Sequence, residues 1–445
     1  INNMKFIPGS RLNDVIYFNP ADTAYPLGFN PLEVTNPNQK TNISSEIIGV
    51  LKRIFGDSWG PRLEYILRYT ILALLDRPEA TMLDITRMLT DKEFRKETLT
   101  YCQDTVVLQF WNVEFTSWND KFVAEAIAPV LNKVGAFTAN PIIRNIIGQP
   151  KSTFNIRQIM DEGKILIVNL SKGLIGEDNA AILGSFLVTK IQLAAMSRSD
   201  IPDVRDRRPF YLYVDEFQNF ATDSFATILS EARKYGLNLT VANQYISQMS
   251  DTVRDAVFGN VGTMISFRVS ADDAPILAKQ FEPNFEAIDL LQMHNRNFVV
   301  NMVIGGEKTP AFSARTLELP PSQADNTPHI IEHSRRMYSR NREDVEREIN
   351  AAIMPNHRPK NQSTQPHPQA VAATALAQPA KKAASQPAQK TNTAANTQPA
   401  TLQTATNSGE VILQIRGNNA LDKPADSTAT TAPKKRRRRR KKSAV

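Results

Sequence analysis

Two neighbouring carboxylates, Asp215 and Glu216, follow an uninterrupted apolar and aromatic run, Phe210 to Val214, in the stretch RRPFYLYVDEFQNFA (residues 207–221). An acid pair at the start of a loop is common and needs no function. The other reading is chemical. A strand buried on both faces reads as a continuous apolar run, and in a parallel sheet the residues after such a strand lie at its carboxyl end, where ligands bind. There one acid holds Mg2+, directly or through water, and its neighbour polarises an attacking water, which is the shape of a Walker B motif. Mg2+ keeps several of its own waters, so one or two carboxylates suffice.

Further along, SEARKYGLNLTVANQYISQM (230–249) ends a helical pattern with Arg233, Lys234 and Gly236, and ends a strand pattern with Asn243 and Gln244. A Gln in that place can hydrogen-bond the terminal phosphate of a nucleotide or its water, and an Arg 17 residues past Glu216 can reach the nucleotide of a neighbouring subunit. Plainer roles stand beside these. Arg233 and Lys234 suit the negative end of a helix dipole, and Gln244 can cap the next helix. A Walker B strand also calls for a phosphate loop upstream, G-x-x-x-x-G-K-S/T, and no such pattern occurs in the 445 residues. RNIIGQPKSTF (144–154) has Lys151-Ser152 but Pro150 where a glycine belongs. Proline fixes φ and removes an N–H donor, so this segment reads as a turn and helix start. The chain begins with Ile1, and the expectation is that the phosphate loop is encoded ahead of it.

The elements that would position these residues can be read from periodicity. DVIYFNP (14–20) reads as a strand, and residues 41–148 then carry helical patterns, as in Ile43, Ile47, Ile48, Leu51, Ile54 and Phe55 on one stripe. From Lys164 onward strand and helix alternate: strands over 164–170, 209–215, 237–243 and 262–269, and helices over 179–198 (long and amphipathic), 224–236 with Gly236 as its stop, 251–259 and 270–281. NFVVNMVIGG (297–306) and PAFSARTLEL (310–319) can close the sheet as a hairpin. This alternation predicts an α/β fold with a mostly parallel sheet flanked by helices and an all-α subdomain inserted into it.

Composition adds bounds. One cysteine, Cys102, excludes an internal disulfide and a cysteine-based zinc site. No apolar run is read as approaching the ~18–20 residues of a membrane span, and no signal peptide is expected. Of 53 Lys and Arg, nine lie in KKRRRRRKK, Lys434 to Lys442, leaving 44 against 45 Asp and Glu, so the basicity belongs to the tail. Expected divisions are 1–40, the start of the α/β core; 41–150, the all-α subdomain; 151–335, the rest of the core; 336–353, a possible helix; 354–433, a disordered linker of Ala, Gln, Thr, Pro, Ser and Asn; and 434–445, the basic tip. The linker lacks the apolar surface needed to offset the entropy of ordering, apart from the island GEVILQIRG (409–417), a candidate short strand or docking peptide. The basic tip suits a polyanion, either nucleic acid by counterion release or an anionic membrane.

YLYVDEFQNFA followed by LSEARKYGLNLTVANQ resembles the HerA/FtsK group of ring-forming DNA translocases. Within it the chain looks most like the type IV secretion coupling proteins of the TraG/TraD class, on the further stretches 14–33, 160–187 and 258–281. The resemblance spans about residues 5–320. It implies a RecA-like P-loop NTPase core, ATP and Mg2+ as cofactors, Asp215 as the Mg2+ ligand, Glu216 as the catalytic carboxylate, Gln244 as the γ-phosphate sensor and Arg233 as a trans-acting arginine. It implies a homo-hexamer threading single-stranded DNA past loops such as 171–178 or 249–262, with a relaxase or relaxosome and channel components as partners, at the cytoplasmic face of the bacterial inner membrane. Without the phosphate loop and membrane anchor of the class, this stretch by itself is expected to bind nucleotide poorly. Two other readings remain: a non-enzymatic module that binds DNA or a partner, and a HerA-like DNA-processing translocase without a secretion role.

Overall fold

A computed structural model describes residues 2–222, 225–322 and 324–353. The expected linker 354–433, the island 409–417 and the basic tip 434–445 lie outside the described residues.

The first two strands, β1 (Val15–Phe18) and β2 (Ile165–Val168), pair in parallel from Val15 opposite Ile165 to Phe18 opposite Val168. A parallel pair needs a crossover, and here every element of the crossover is helical. In order these are α1 (Lys40–Phe55), α2 (Pro61–Asp76), α3 (Asp84–Thr90), α4 (Lys92–Leu99), α5 (Thr105–Gln109), α6 (Phe115–Ser117), α7 (Asp120–Thr138), α8 (Pro141–Ile147) and α9 (Ile156–Glu162), with 3-10 and π turns between some of them. Side chains alternate faces along a strand. Ile16 and Phe18 therefore enter the main core, while Val15 and Tyr17 pack with Met4 and Ile330 on the other side. The helical stripe forms much as its spacing implies, with Ile43, Ile47, Ile48 and Leu51 of α1 buried. A single apolar cluster runs from Ile16 through these helices to Ala311.

After β2 come α10 (Lys172–Ile175) and α11 (Glu177–Ser197). The sequence predicts an amphipathic helix here, but α11 is buried on nearly every side, from Ala180 to Ala195. It packs against α1 and α9 at the centre of the molecule. By length and composition it could cross a membrane, yet 72% of that stretch is buried inside the fold. Counting uninterrupted apolar residues overlooks it, because Lys190 interrupts the run.

β3 (Phe210–Val214) and β4 (Leu237–Val241) form a second parallel pair, from Phe210 opposite Leu237 to Val214 opposite Val241. Their crossover is α12 (Phe225–Glu231), whose end tightens into a 3-10 turn over Ala232–Tyr235. Gly236 stops it in the left-handed region at φ 68°, a conformation that suits a residue without Cβ. α13 (Asp251–Asn260) leads to β5 (Thr263–Ser266), and α14 (Ala274–Phe281) and α15 (Ala287–Leu291) lead to β6 (Asn297–Ile304). β6 turns through Gly305 and Gly306, both at positive φ, into β7 (Glu307–Lys308), and also pairs with β8 (Phe312–Arg315). Two glycines at positive φ are what a two-residue hairpin turn requires.

Two expectations need correction. The strands do not join one mostly parallel sheet: among the described residues β1–β2 and β3–β4 are separate parallel pairs, and β6 runs antiparallel to β5, β7 and β8. Alternation of strand and helix does not distinguish these cases at β5–β6, because α14 and α15 leave enough chain for either direction of return. Nor is β3 buried on both faces. Phe210 and Leu212 are half-buried and Val214 is buried, but Tyr211 and Tyr213 are 62% and 72% exposed.

The charged stretch near 336–353 forms not one helix but parts of two, α16 (Thr327–Tyr338) and α17 (Arg342–Ile353). The break has a tertiary cause. The Arg340 N–H donates to the Pro26 carbonyl at 3.2 Å and the Arg342 N–H to Ala24 at 3.1 Å. α16 also closes the free edge of β1, since the Tyr17 N–H donates to Ser334 Oγ at 2.9 Å and the Ser334 hydroxyl donates to the Tyr17 carbonyl at 3.3 Å.

One contact ties α11 to the loop after β3. A Cβ placed on Gly184 would lie 2.2 Å from the Phe220 ring, whereas one on Gly173 would meet nothing within 4 Å. Gly184→Ala is expected to cost about 1–3 kcal/mol, the usual penalty of overpacking, against a few tenths for Gly173→Ala. Urea denaturation of the two variants checks this, and equal midpoints would contradict the packing described.

Candidate active site

The acid pair sits where β3 ends. Asp215 is exposed, and its Oδ1 accepts the backbone N–H of Glu216 at 3.0 Å. Glu216 adopts φ 51°, ψ 42°, a left-handed conformation that costs a residue with Cβ roughly 1–2 kcal/mol. Neighbouring bonds hold it there. The Phe217 N–H donates to the Ala242 carbonyl at 2.9 Å, and the Ala242 N–H donates to the Val214 carbonyl at 2.9 Å. The Phe217 side chain is fully buried, with its ring centroid 4.9 Å from that of Phe225.

These bonds bring the carboxyl ends of β3 and β4 together, and with them two of the residues singled out by sequence. Gln244 Nε2 donates to Glu216 Oε1 at 2.5 Å. A third residue joins them: Gln218 Nε2 donates to Glu216 Oε2 at 2.7 Å. Both carboxylate oxygens of Glu216 are thus oriented by amides. Sequence reasoning passes over Gln218, although its place two residues after the acid in DEFQ is a usable signal.

Arg53, at the end of α1, is the residue that sequence reasoning has no means to find. Its guanidinium donates to the Gln218 and Asn219 carbonyls, the latter at 2.6 Å, and to Ser185 Oγ of α11 at 3.3 Å. Hydrogen bonds from a charged donor are worth about 1.5–3 kcal/mol each, so α1 braces the turn that carries the acids. Beside that turn, Gln218 Oε1 and Asn219 Nδ2 are buried without a hydrogen-bond partner. Orphaned polar atoms next to an exposed carboxylate fit a site completed by water and a hydrated cation. Among the described residues no group of three or more His, Cys, Asp or Glu could hold a metal. Asp215 and Glu216 stand as an adjacent pair of carboxylates at the end of β3.

Arg233 stands apart. It is exposed on the 3-10 turn before Gly236, and no hydrogen bond or ion pair joins it to Asp215, Glu216 or Gln244. Its turn is nonetheless fixed from beneath. Arg198, fully buried, donates to the Tyr235 carbonyl at 3.0 Å and the Arg208 carbonyl at 2.6 Å, and pairs with Asp161 at 3.1 Å. Burial lowers the Arg198 pKa, and Asp161 opposes that shift. Arg207 donates to the Lys234 carbonyl and, at 2.7 Å, to Ile201.

The glycine-poor segment at 144–154 is a structural clasp. The Asn30 side-chain amide donates to the Pro150 carbonyl at 2.8 Å, Ser152 Oγ accepts the Asn30 N–H at 3.0 Å, and Lys151 pairs with Glu79 at 3.7 Å. The two stretches suggested as pore loops are largely helical: 171–178 contains α10 and 249–262 contains α13. The basic run Lys434 to Lys442 lies outside the described residues.

Comparison with known proteins places these features. Residues 209–280 match the family model described as the TraM recognition site of TraD and TraG. In solved structures, the fold is similar to the bacterial conjugative coupling protein TrwBdeltaN70 in its unbound monoclinic form, with TM-score 0.50, 13% identity, and 70% of this chain and 75% of that one covered. It is similarly related to the trigonal form in complex with sulphate, with TM-score 0.50, 14% identity, and 71% and 76% covered. The plasmid coupling protein TrwB in complex with ADP and Mg2+ also matches, at TM-score 0.49, 13% identity, and 73% and 78% covered. A search of curated protein sequences finds no match. The segment similar to TraD and TraG thus runs through the acid pair, on a mixed α/β fold similar to that of a conjugative coupling protein.

Proposed function

We propose that this chain is the motor portion of a conjugative coupling protein, an ATPase of RecA-like P-loop architecture that hydrolyses ATP to move DNA toward a type IV secretion channel. The observation that supports this most is the 2.5 Å bond between Gln244 and Glu216 at the carboxyl ends of two parallel strands. That is the place where ligands of such sheets bind.

In this reading Asp215 holds the Mg2+ that, when bound, neutralises charge on the phosphates of ATP. Glu216 orients a water and accepts its proton at the carboxylate. Gln244 presents its amide to that water or to the terminal phosphate and, through its bond to Glu216, links the end of β4 to the acid. Gln218 keeps the second carboxylate oxygen from rotating. Arg233, exposed and rigidly mounted, serves the nucleotide of the next subunit in a homo-hexamer. The helices between β1 and β2 act as an inserted all-α subdomain braced to the site by Arg53.

The description of segment 209–280 as a TraM recognition site supports a relaxosome-type partner. The DNA is single-stranded and bound without sequence reading, with the basic run assisting through its phosphates or holding an anionic membrane. The protein works at the cytoplasmic face of the bacterial inner membrane.

Glu216→Gln in the intact protein is expected to lower kcat for ATP hydrolysis by about 10²–10⁴-fold, the usual share of a general base, while nucleotide binding persists. Unchanged turnover would remove Glu216 from the mechanism. Arg233→Ala should also be inactive alone. Mixed with Glu216→Gln subunits it should regain part of the turnover, because some sites then combine an intact acid with an intact arginine. No recovery in mixed oligomers would rule out a role across the interface. Deleting Lys434–Lys442 is expected to weaken single-stranded DNA binding and flatten its dependence on log salt by up to about 6 in slope, at ~0.7 per neutralised phosphate. An unaltered slope would assign the tail elsewhere.

A further inference from the structure

A cavity of about 310 Å³ lies where β1, α1, α9 and α11 meet, lined among others by Phe29, Glu33, Ser152, Arg157, Lys164 and Lys190. None of Asp215, Glu216, Arg233 and Gln244 lines it. Ile16 and Lys164 place it toward the amino ends of β1 and β2, whereas the acid pair follows the carboxyl end of β3.

Lys190 is the unusual feature. It projects from α11, the most enclosed helix of the fold, and its amine donates to the Glu33 carbonyl at 2.6 Å. An ammonium carries three donors, and this one has no second partner among the described residues. The other cations of the lining are already engaged: Arg157 pairs with Asp161 and with Asp200, the latter at 2.8 Å, and Lys164 pairs with Glu162 at 2.9 Å. The Glu33 carboxylate accepts the Ser152 N–H at 3.1 Å. Burial pushes the Lys190 pKa down to about 8, with Glu33 opposing the shift. Lys190 is half-buried, and its hydrogen bond goes to a carbonyl and not to a carboxylate; apolar bulk, as in Met or Leu, would fill the same position without holding a cation against the core. The chain keeps a charge there, facing open volume.

We propose that this cavity binds a small molecule bearing an oxyanion group, a phosphate or a carboxylate, and that Lys190 pairs with its charge. The volume lies within the range of small-molecule pockets. The side chains of Ser152 and Asn155 add donors on one wall, and the rings of Phe29 and Phe154, stacked with centroids 6.2 Å apart, supply an apolar wall for the rest of the ligand.

The test uses the intact protein, inorganic phosphate and acetate as probes, and chloride at matched ionic strength as the reference. Acylation of Lys190 by a small amine-reactive ester, read by peptide mass spectrometry, should fall saturably with phosphate or with acetate relative to chloride. The stronger of the two identifies the head group. In parallel, the effective anion should raise the thermal unfolding temperature of the wild type and Lys190→Arg but not of Lys190→Met. Labelling that responds to neither probe beyond chloride would overturn the proposal, and so would an equal thermal shift in Lys190→Met. If Lys190→Met does not fold, the labelling of the wild type decides alone.

Discussion

Two backbone hydrogen bonds, from Phe217 to Ala242 and from Ala242 to Val214, hold the site together. They extend the β3–β4 ladder past its last paired residues, Val214 and Val241. As a result the chain reverses at Asp215 and Glu216 while staying attached to the segment that leads to Gln244. The distance between the Glu216 and Gln244 side chains is fixed by strand register rather than by loop chance. Sites mounted on regular elements keep their geometry more tightly than sites on free loops. The left-handed Glu216 is the conformational cost, offset by the burial of Phe217 and by the ladder itself.

Support comes from three directions, and each uses a buried or half-buried arginine acting on backbone carbonyls. Arg53 reaches from α1 to the turn after the acids, Arg198 from the end of α11 to the turn bearing Arg233, and Arg207 from the entry to β3 to the same turn. A guanidinium presents a fixed fork of donors, so each links two elements without requiring a carboxylate partner at the site. The helical crossover is therefore mechanically continuous with the acid pair. A partner that displaces α1 would be felt at Gln218 and Asn219.

Much of this is legible in the sequence where the signal is local. The acid pair after an aromatic run, the Gly236 stop and the α1 stripe all rest on neighbours within a turn or a strand, and they appear where expected. Gln244 can be placed beside Glu216 because parallel pairing aligns the strand ends. Arg53 cannot, since its contacts lie 165 and 166 residues away and a lone arginine at a helix end carries no local mark. The exposure of Tyr211 and Tyr213 is hidden because an aromatic run looks continuous whether or not alternate rings face outward. The antiparallel return of β6 escapes notice because connection length constrains direction only when it is short. The sequence of α11 suggests an amphipathic helix, yet a helix at the centre of several packed helices has no solvent face to mark with polar residues.

The most direct measurement is a crystal structure of the intact protein with a non-hydrolysable ATP analogue and Mg2+. The cation is expected at the Asp215 carboxylate, with the Glu216 and Gln244 side chains directed at the terminal phosphate. Nucleotide bound away from the carboxyl ends of β3 and β4, with both acids left facing solvent, would contradict the active-site assignment.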